Sequence, residues 1–285
     1  MKRRARKATA MFEDMLSFPF FQRALMGGVL VAVTLSLLSF FVVLRRISFI
    51  GVGISHSALA GVALGLVLGI NTTLSATAFC GLIALLIGYI TRRGNVREDV
   101  AIGITFSGTM ATGVILIALS GKYMSNLYSY LFGSILTITN GDIALMAVYC
   151  IATIALVGLF FKHLLLISFD ENIARVSGIH VDFLHYLLLV LIAIVTVASI
   201  KLVGIILVSA LLVLPAATSR QLARTYRPML LLSVAAGLIS LFTGLVLSYT
   251  FDLPSGATIV LCACALFFIC FALSPRRLRK PAKGG

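Results

Sequence analysis

Apolar residues in this chain run in long blocks, broken by short clusters of Arg, Lys, Gly and Asn. The blocks recur about every 25–30 residues, the spacing of helices that each need roughly 20 residues to cross a bilayer core. They predict nine spans, at 24–44, 47–69, 72–91, 99–119, 141–161, 183–200, 202–219, 228–250 and 256–273. One further apolar stretch, NLYSYLFGSILTIT at 126–139, is short and rich in aromatics. Its length predicts an interfacial or re-entrant piece, and a full crossing there would move every later loop to the other side. A membrane barrel would show short alternating segments, and the chain has none. The pattern therefore predicts an all-α polytopic membrane protein of about eight or nine transmembrane helices. Residues 24–273 form its body, flanked by a basic and interfacial N-terminal segment (1–23) and a basic tail (274–285).

Composition removes the alternatives. Of 285 residues 60% are hydrophobic and only 11% charged, with a mean hydropathy of +1.12. Too little polar surface remains to cover a water-soluble core. The formal charge of +14 and pI near 10.1 do not point to nucleic acid, because the basic residues sit in short loops that set membrane orientation. Arg45 and Arg46, TRRGNVR (91–97), Lys162 with Arg175, SRQLARTYR (219–227) and PRRLRK (275–280) alternate with NTT (71–73), GKYMSN (121–126), Lys201 and YTFDLPSG (249–256). The first set is cytoplasmic and the second external. Nine spans then put the C-terminus inside and the basic start MKRRARK outside, unless residues 11–23 lie along the interface. That start leads into ATAMFEDML, too polar for a signal-peptide core. The five cysteines all fall in apolar blocks, and an odd number so placed argues against a disulfide framework.

All nine carboxylates lie at span edges or in loops. Ion-driven transporters usually keep one at membrane depth, so solute movement here calls for energy from another subunit. A membrane-embedded metalloprotease would want a HExxH pair, which the chain lacks. Glu98, Asp99, Asp142 and Asp182 open helices, where a carboxylate meets the positive end of the helix dipole. His56, in IGVGISHSALAG (50–61), is the ionisable residue that stands within a span, and such a residue is a functional candidate. His163, His180 and His185 read as residues of cytoplasmic span ends. Gly53, Ser57, Gly61 and Gly65 form a stripe beside His56, and Gly103, Ser107 and Ala111 another on the fourth span; both permit close helix packing. Pro215 should kink or end the seventh span. In the cytoplasmic loop 162–182, Asp170 is suited to cap a two-turn helix at 171–177 and Gly178 to stop it. That helix is too short to stand alone and must dock, with Ile173, Ala174 and Val176 on its surface.

SFDENIARVSGI (168–179) resembles the coupling segment of ABC-type importer permeases, in particular the family carrying zinc, manganese or iron(II). Further matching stretches are VLRRISFIGVGISHSALAGVALG (43–65), REDVAIGITFSG (97–108), KLVGIILVSALLVLPAATSRQLAR (201–224) and DLPSGATIV (252–260). The resemblance covers most of the chain in order. It implies a fold like that of the vitamin B12-type importers, with two copies of the subunit forming the pore. Two cytoplasmic ATPases drive it and an extracytoplasmic binding protein delivers the metal. The chain's own role is then transport and not catalysis, and it contains no GxxxxGK[ST] phosphate loop. Asp170, Glu171, Ala174, Arg175 and Gly178 become the coupling residues, His56 the pore ligand and Pro215 a gating kink. The metal is cargo, and no cofactor is permanently bound. Family members commonly carry an acidic residue four positions before the histidine, where this chain has Val52, and often an aspartate near Asn126. Loss of a hard oxygen ligand weakens the case for manganese, whereas imidazole suits zinc and iron(II); zinc is favoured, with a metal chelate or vitamin as the other small solute to consider.

Overall fold

A computed structural model describes residues 19–94, 96–120 and 139–274. Its elements there are all helices: α1 (Pro19–Leu44), α2 (Ile50–Leu68), α3 (Thr72–Arg93), α4 (Glu98–Ser120), α5 (Asn140–Leu159), α6 (Phe161–Phe169), α7 (Glu171–Val176), α8 (Val181–Val203), α9 (Ile205–Leu211), α10 (Leu214–Leu222), α11 (Tyr226–Phe251) and α12 (Ser255–Ala272). Nine stretches of the described residues are long and apolar enough to cross a bilayer. The first helix starts at Pro19, earlier than expected. The interfacial piece expected at 126–139 falls outside the described residues up to 138, as do residues 1–18 and 275–285.

Contacts sort the helix ends onto two faces. Arg45 after α1, Arg92 in α3, Glu98 in α4, Glu171 in α7 and His185 in α8 meet through ion pairs and hydrogen bonds. Ser274, after α12, donates to the Gln221 carbonyl of α10 near that face. Opposite, Asp142 of α5 pairs with Lys201 of α8 at 2.6 Å, and Phe21 of α1 meets Tyr249 of α11. These are the two groups of loops that positive charge separates, so the first face is cytoplasmic. It follows that α1 begins on the outer face.

The centre of the bundle is α1, α2 and α8, whose spans are about 70% buried, while α5 and α12 at 22% lie at its periphery. Where hydrophobic drive is absent, small residues set helix spacing. A Cβ at Gly61 would stand 2.6 Å from the Cα of Ala76 in α3, and one at Gly244 would stand 2.5 Å from the Cα of Ile259 in α12. Ser75 of α3 reinforces the first contact by donating to the Gly61 carbonyl at 2.7 Å.

The seventh span is broken. Gly204, at φ 84°, turns α8 directly into α9, a backbone region that suits glycine. α9 ends at Leu211, and α10 starts at Leu214 with Pro215 in its first turn. A proline belongs there, because the first turn needs no amide from it. So Pro215 opens the second half, and the break it was expected to make lies just upstream. The Ala216 amide, left over by the break, donates to Ser39 Oγ of α1 at 3.2 Å.

Gly61→Ala should force α2 and α3 apart, costing about 1–3 kcal/mol and lowering the melting midpoint in detergent. Gly81→Ala, whose Cβ would meet nothing within 4 Å, should not destabilise. Equal melting of the two variants would contradict this account of the α2–α3 contact.

Candidate transport site

The position of His56 follows from how α2 is wedged. Its Gly53 and Ser57 face α4: a Cβ on Gly53 would press on Ile102, and the Ser57 hydroxyl lies 2.8 Å from that of Thr109. Its Gly61 and Gly65 face α3, at Ala76 and Ser75. The close packing that this stripe was expected to permit is thus made within the chain. Gly103, Ser107 and Ala111 of α4 are instead exposed. Neither hydroxyl beside His56 is presented with it: Ser55 is fully buried, and Ser57 is buried and donates to the Gly53 carbonyl at 2.8 Å.

His56 itself is partly exposed, about 9 Å along α2 from its cytoplasmic end at 1.5 Å per residue. Its ring stands edge-on to Phe106 of α4, with centroids 5.3 Å apart. Nδ1 lies 2.9 Å from the Val52 carbonyl oxygen. A carbonyl only accepts, so Nδ1 carries the proton, and in the neutral ring the lone pair is on Nε2. Val52 supplies no carboxylate, yet its backbone fixes the tautomer in which Nε2 is ready to bind a cation. Among the described residues, no three of His, Cys, Asp and Glu come together as a metal cluster. Asn126 lies outside those residues.

The cytoplasmic segment between α5 and α8, called the handle below for its shape alone, is larger than the single short helix expected from the sequence. Residues of α6 are helical where a loop was predicted, and Leu164 and Ile167 bury one side of it. Asp170 Oδ1 then accepts from the Asn172 and Ile173 amides at 2.9 and 3.1 Å, the anticipated cap of α7. Gly178, at φ 77°, ends the turn, where a side chain would be strained. Ile173 and Val176 are exposed, Val176 to 91%, but Ala174 is completely buried and cannot meet a partner as expected. Arg175 pairs with Asp182 at 3.1 Å, and Glu171 is bound by Arg92 of α3, so both charged groups turn back toward the membrane body.

Under the handle lies a polar cleft of about 460 Å³, lined among others by Arg45, Arg46, Glu98, Glu171 and Arg220. At its inner edge Arg45 Nη2 donates to Nδ1 of His185 at 2.9 Å, with Glu98 Oε1 3.8 Å from the same nitrogen. Burial lowers the Arg45 pKa from its ordinary value, against the pull of Glu98 and Glu171. His185 is only 1% exposed, so it is a buried member of this cluster and not the interfacial residue it resembled in sequence. His163 and His180 line a separate pocket of about 590 Å³ with Phe160, Phe183 and Gly178. Sequence reasoning missed the cluster of Arg45, Arg92, Glu98 and His185. The only local hint is His185 three residues after Asp182, on the same helix face.

Arg45→Met leaves Glu98 and His185 without their buried cation. It should cost about 2–4 kcal/mol, less than a fully buried pair would lose. Arg175→Ala, at the exposed pair, should cost under about 1 kcal/mol. Thermal melts in detergent check the difference; equal costs would show that the cluster contributes no more to stability than the exposed pair.

Comparison with known proteins agrees with this geometry. The model of the ABC 3 transport family matches residues 17–274. The manganese transport system membrane protein MntC of Listeria monocytogenes is 39% identical over 265 residues, covering 93% of this chain and 94% of that protein. The manganese import system permease protein ScaB of Streptococcus gordonii is 38% identical over 260 residues, covering 91% and 93%. The structure of PsaBC from Streptococcus pneumoniae in complex with Fab superposes with a TM-score of 0.83 at 38% identity, covering 95% of this chain and 98% of that one. With its helical body matched from end to end, the chain belongs to the ABC 3 transport family, as a multi-pass permease subunit of the cell membrane and not an enzyme.

Proposed function

We propose that the chain forms the membrane path of an importer for a divalent transition-metal ion, manganese first. Two copies build the pore, cytoplasmic ATPases drive it, and an extracytoplasmic binding protein loads it. The observation that carries this reading is His56: a partly open imidazole on a span, its Nδ1 held by the Val52 carbonyl and its Nε2 available to an ion. The chain alone favoured zinc, because Val52 stands where a carboxylate is usual. The relatives above are named for manganese, which puts manganese ahead of zinc and iron(II). Manganese prefers oxygen donors beside imidazole, and in a dimer these come from water and the facing copy. A site so sparsely built holds its ion weakly, which suits passage better than storage. The exposed small-residue face of α4 (Gly103, Ser107, Ala111) gives the second copy a surface for close approach. Phe169, Ile173 and Val176 give the ATPase an apolar grip on the handle.

The test is reconstitution of the permease with its ATPase and binding protein in liposomes, with uptake of manganese, iron(II) and zinc measured beside ATP hydrolysis. Manganese should stimulate both. His56→Ala should lower uptake by about tenfold or more, since losing even an outer-shell partner of a metal ligand costs that much, while assembly with the ATPase is unchanged. Normal uptake in that variant, or no stimulation by any of the three metals, would overturn the reading.

A further inference from the structure

We infer that Arg92 is the positioning residue through which movement of the handle reaches the pore helix, an assignment that rests on the importer reading above. Arg92 is the penultimate residue of α3, and its side chain is 16% exposed. Its Nη2 binds Glu171, the first residue of α7, and its Nη1 stands 3.5 Å from Asp182, in the first turn of α8. One guanidinium fork therefore spans two carboxylates on two elements, a geometry that a planar cation suits better than a point charge. Arg175 of α7 holds the same Asp182 at 3.1 Å. Displacement of α7 thus moves Glu171 directly against α3, while Asp182 stays on α8 and is tied to α7 only through the exposed Arg175 pair.

From Arg92, α3 runs back through the membrane to Cys80, about 18 Å away along its axis. There the Cys80 thiol donates to the carbonyl of Ile54, two residues before His56 on α2, at 3.6 Å. One turn further out the two helices interlock, with Ala76 against Gly61 and the Ser75 hydroxyl on the Gly61 carbonyl. Backbones this close do not slide past one another, because packed interiors repack between discrete arrangements and resist continuous deformation. A shift of α3 then carries α2, and His56 with it. Charge and packing together make a connected path from the handle to the pore helix, with Arg92 as its first link.

The experiment uses the reconstituted permease–ATPase–binding-protein complex carrying Arg92→Met or Arg92→Lys. In Arg92→Met, ATP hydrolysis should persist while metal moved per ATP falls by about fivefold or more, the lower end of an allosteric coupling. Arg92→Lys, which keeps the charge, should recover a large part of the ratio. A second readout needs no cargo: alkylation of Val52→Cys, one turn from His56, by a reagent added on the cytoplasmic side. Its rate should depend on nucleotide with Arg92 present and become nucleotide-independent in Arg92→Met. An unchanged transport ratio with nucleotide-dependent alkylation in Arg92→Met would overturn the assignment. So would hydrolysis and uptake falling in equal proportion, the signature of a mere structural staple. Absence of metal uptake in the unaltered complex would count against the metal reading alone, since the alkylation difference is read without cargo.

Discussion

A hydrocarbon interior offers no partner to an unpaired amide or carbonyl, so each span must satisfy its own backbone and any break must be repaired by a neighbour. That constraint shapes this permease throughout. Many hydroxyls that would compete with the backbone turn inward to the carbonyl one turn earlier, as Thr34 does to Leu30 and Ser57 to Gly53. The break between α9 and α10 is tolerated because Ser39 of α1 accepts the Ala216 amide. Polarity freed from that task is concentrated at the two faces. Lys201 and Asp142 close the outer one, and the cluster around Arg45 and Arg92 closes the inner one.

Within this frame His56 is an exception to the rule of self-satisfaction. One ring nitrogen obeys it, bound to the Val52 carbonyl, and the other has no hydrogen-bond partner among the described residues. The close approach of α3 at Gly61 and of α4 at Gly53 fixes which face of α2 the imidazole occupies. On the importer reading proposed above, function would depend on residues that never touch cargo. Glycines set the register of α2 against its neighbours, and Arg92 near the end of α3 is bound to Glu171 of α7. A transport cycle needs both, since a rigid pore helix with no grip is a plug and a grip with no rigid helix moves nothing.

Much of this was legible in the sequence. Unbroken apolar blocks marked the spans, because a helix crossing lipid needs length more than pattern. Asp170 and Gly178 marked the ends of α7, because caps act over three or four residues. What could not be read depends on distant partners. Pro215 announced a break, but its place was settled by Ser39, 177 residues from Ala216. The Arg45–His185 contact joins residues 140 apart, and loop patterns assigned both to ordinary interfacial roles. Ala174 was placed on the outer surface of α7 because a six-residue helix does not reveal which side faces the body. The preference for zinc came from two side chains, Val52 and Asn126; that the Val52 backbone would hold the His56 ring is a contact its side chain does not announce.

The central claim is that His56 is a ligand to the ion in transit. Pulsed electron paramagnetic resonance of manganese(II) bound to the purified complex reads this most directly, because a coordinated imidazole nitrogen modulates the echo. The account predicts nitrogen coupling in the unaltered protein and its loss in His56→Ala. Undiminished coupling in that variant, or manganese bound without nitrogen coupling in the unaltered protein, would contradict it.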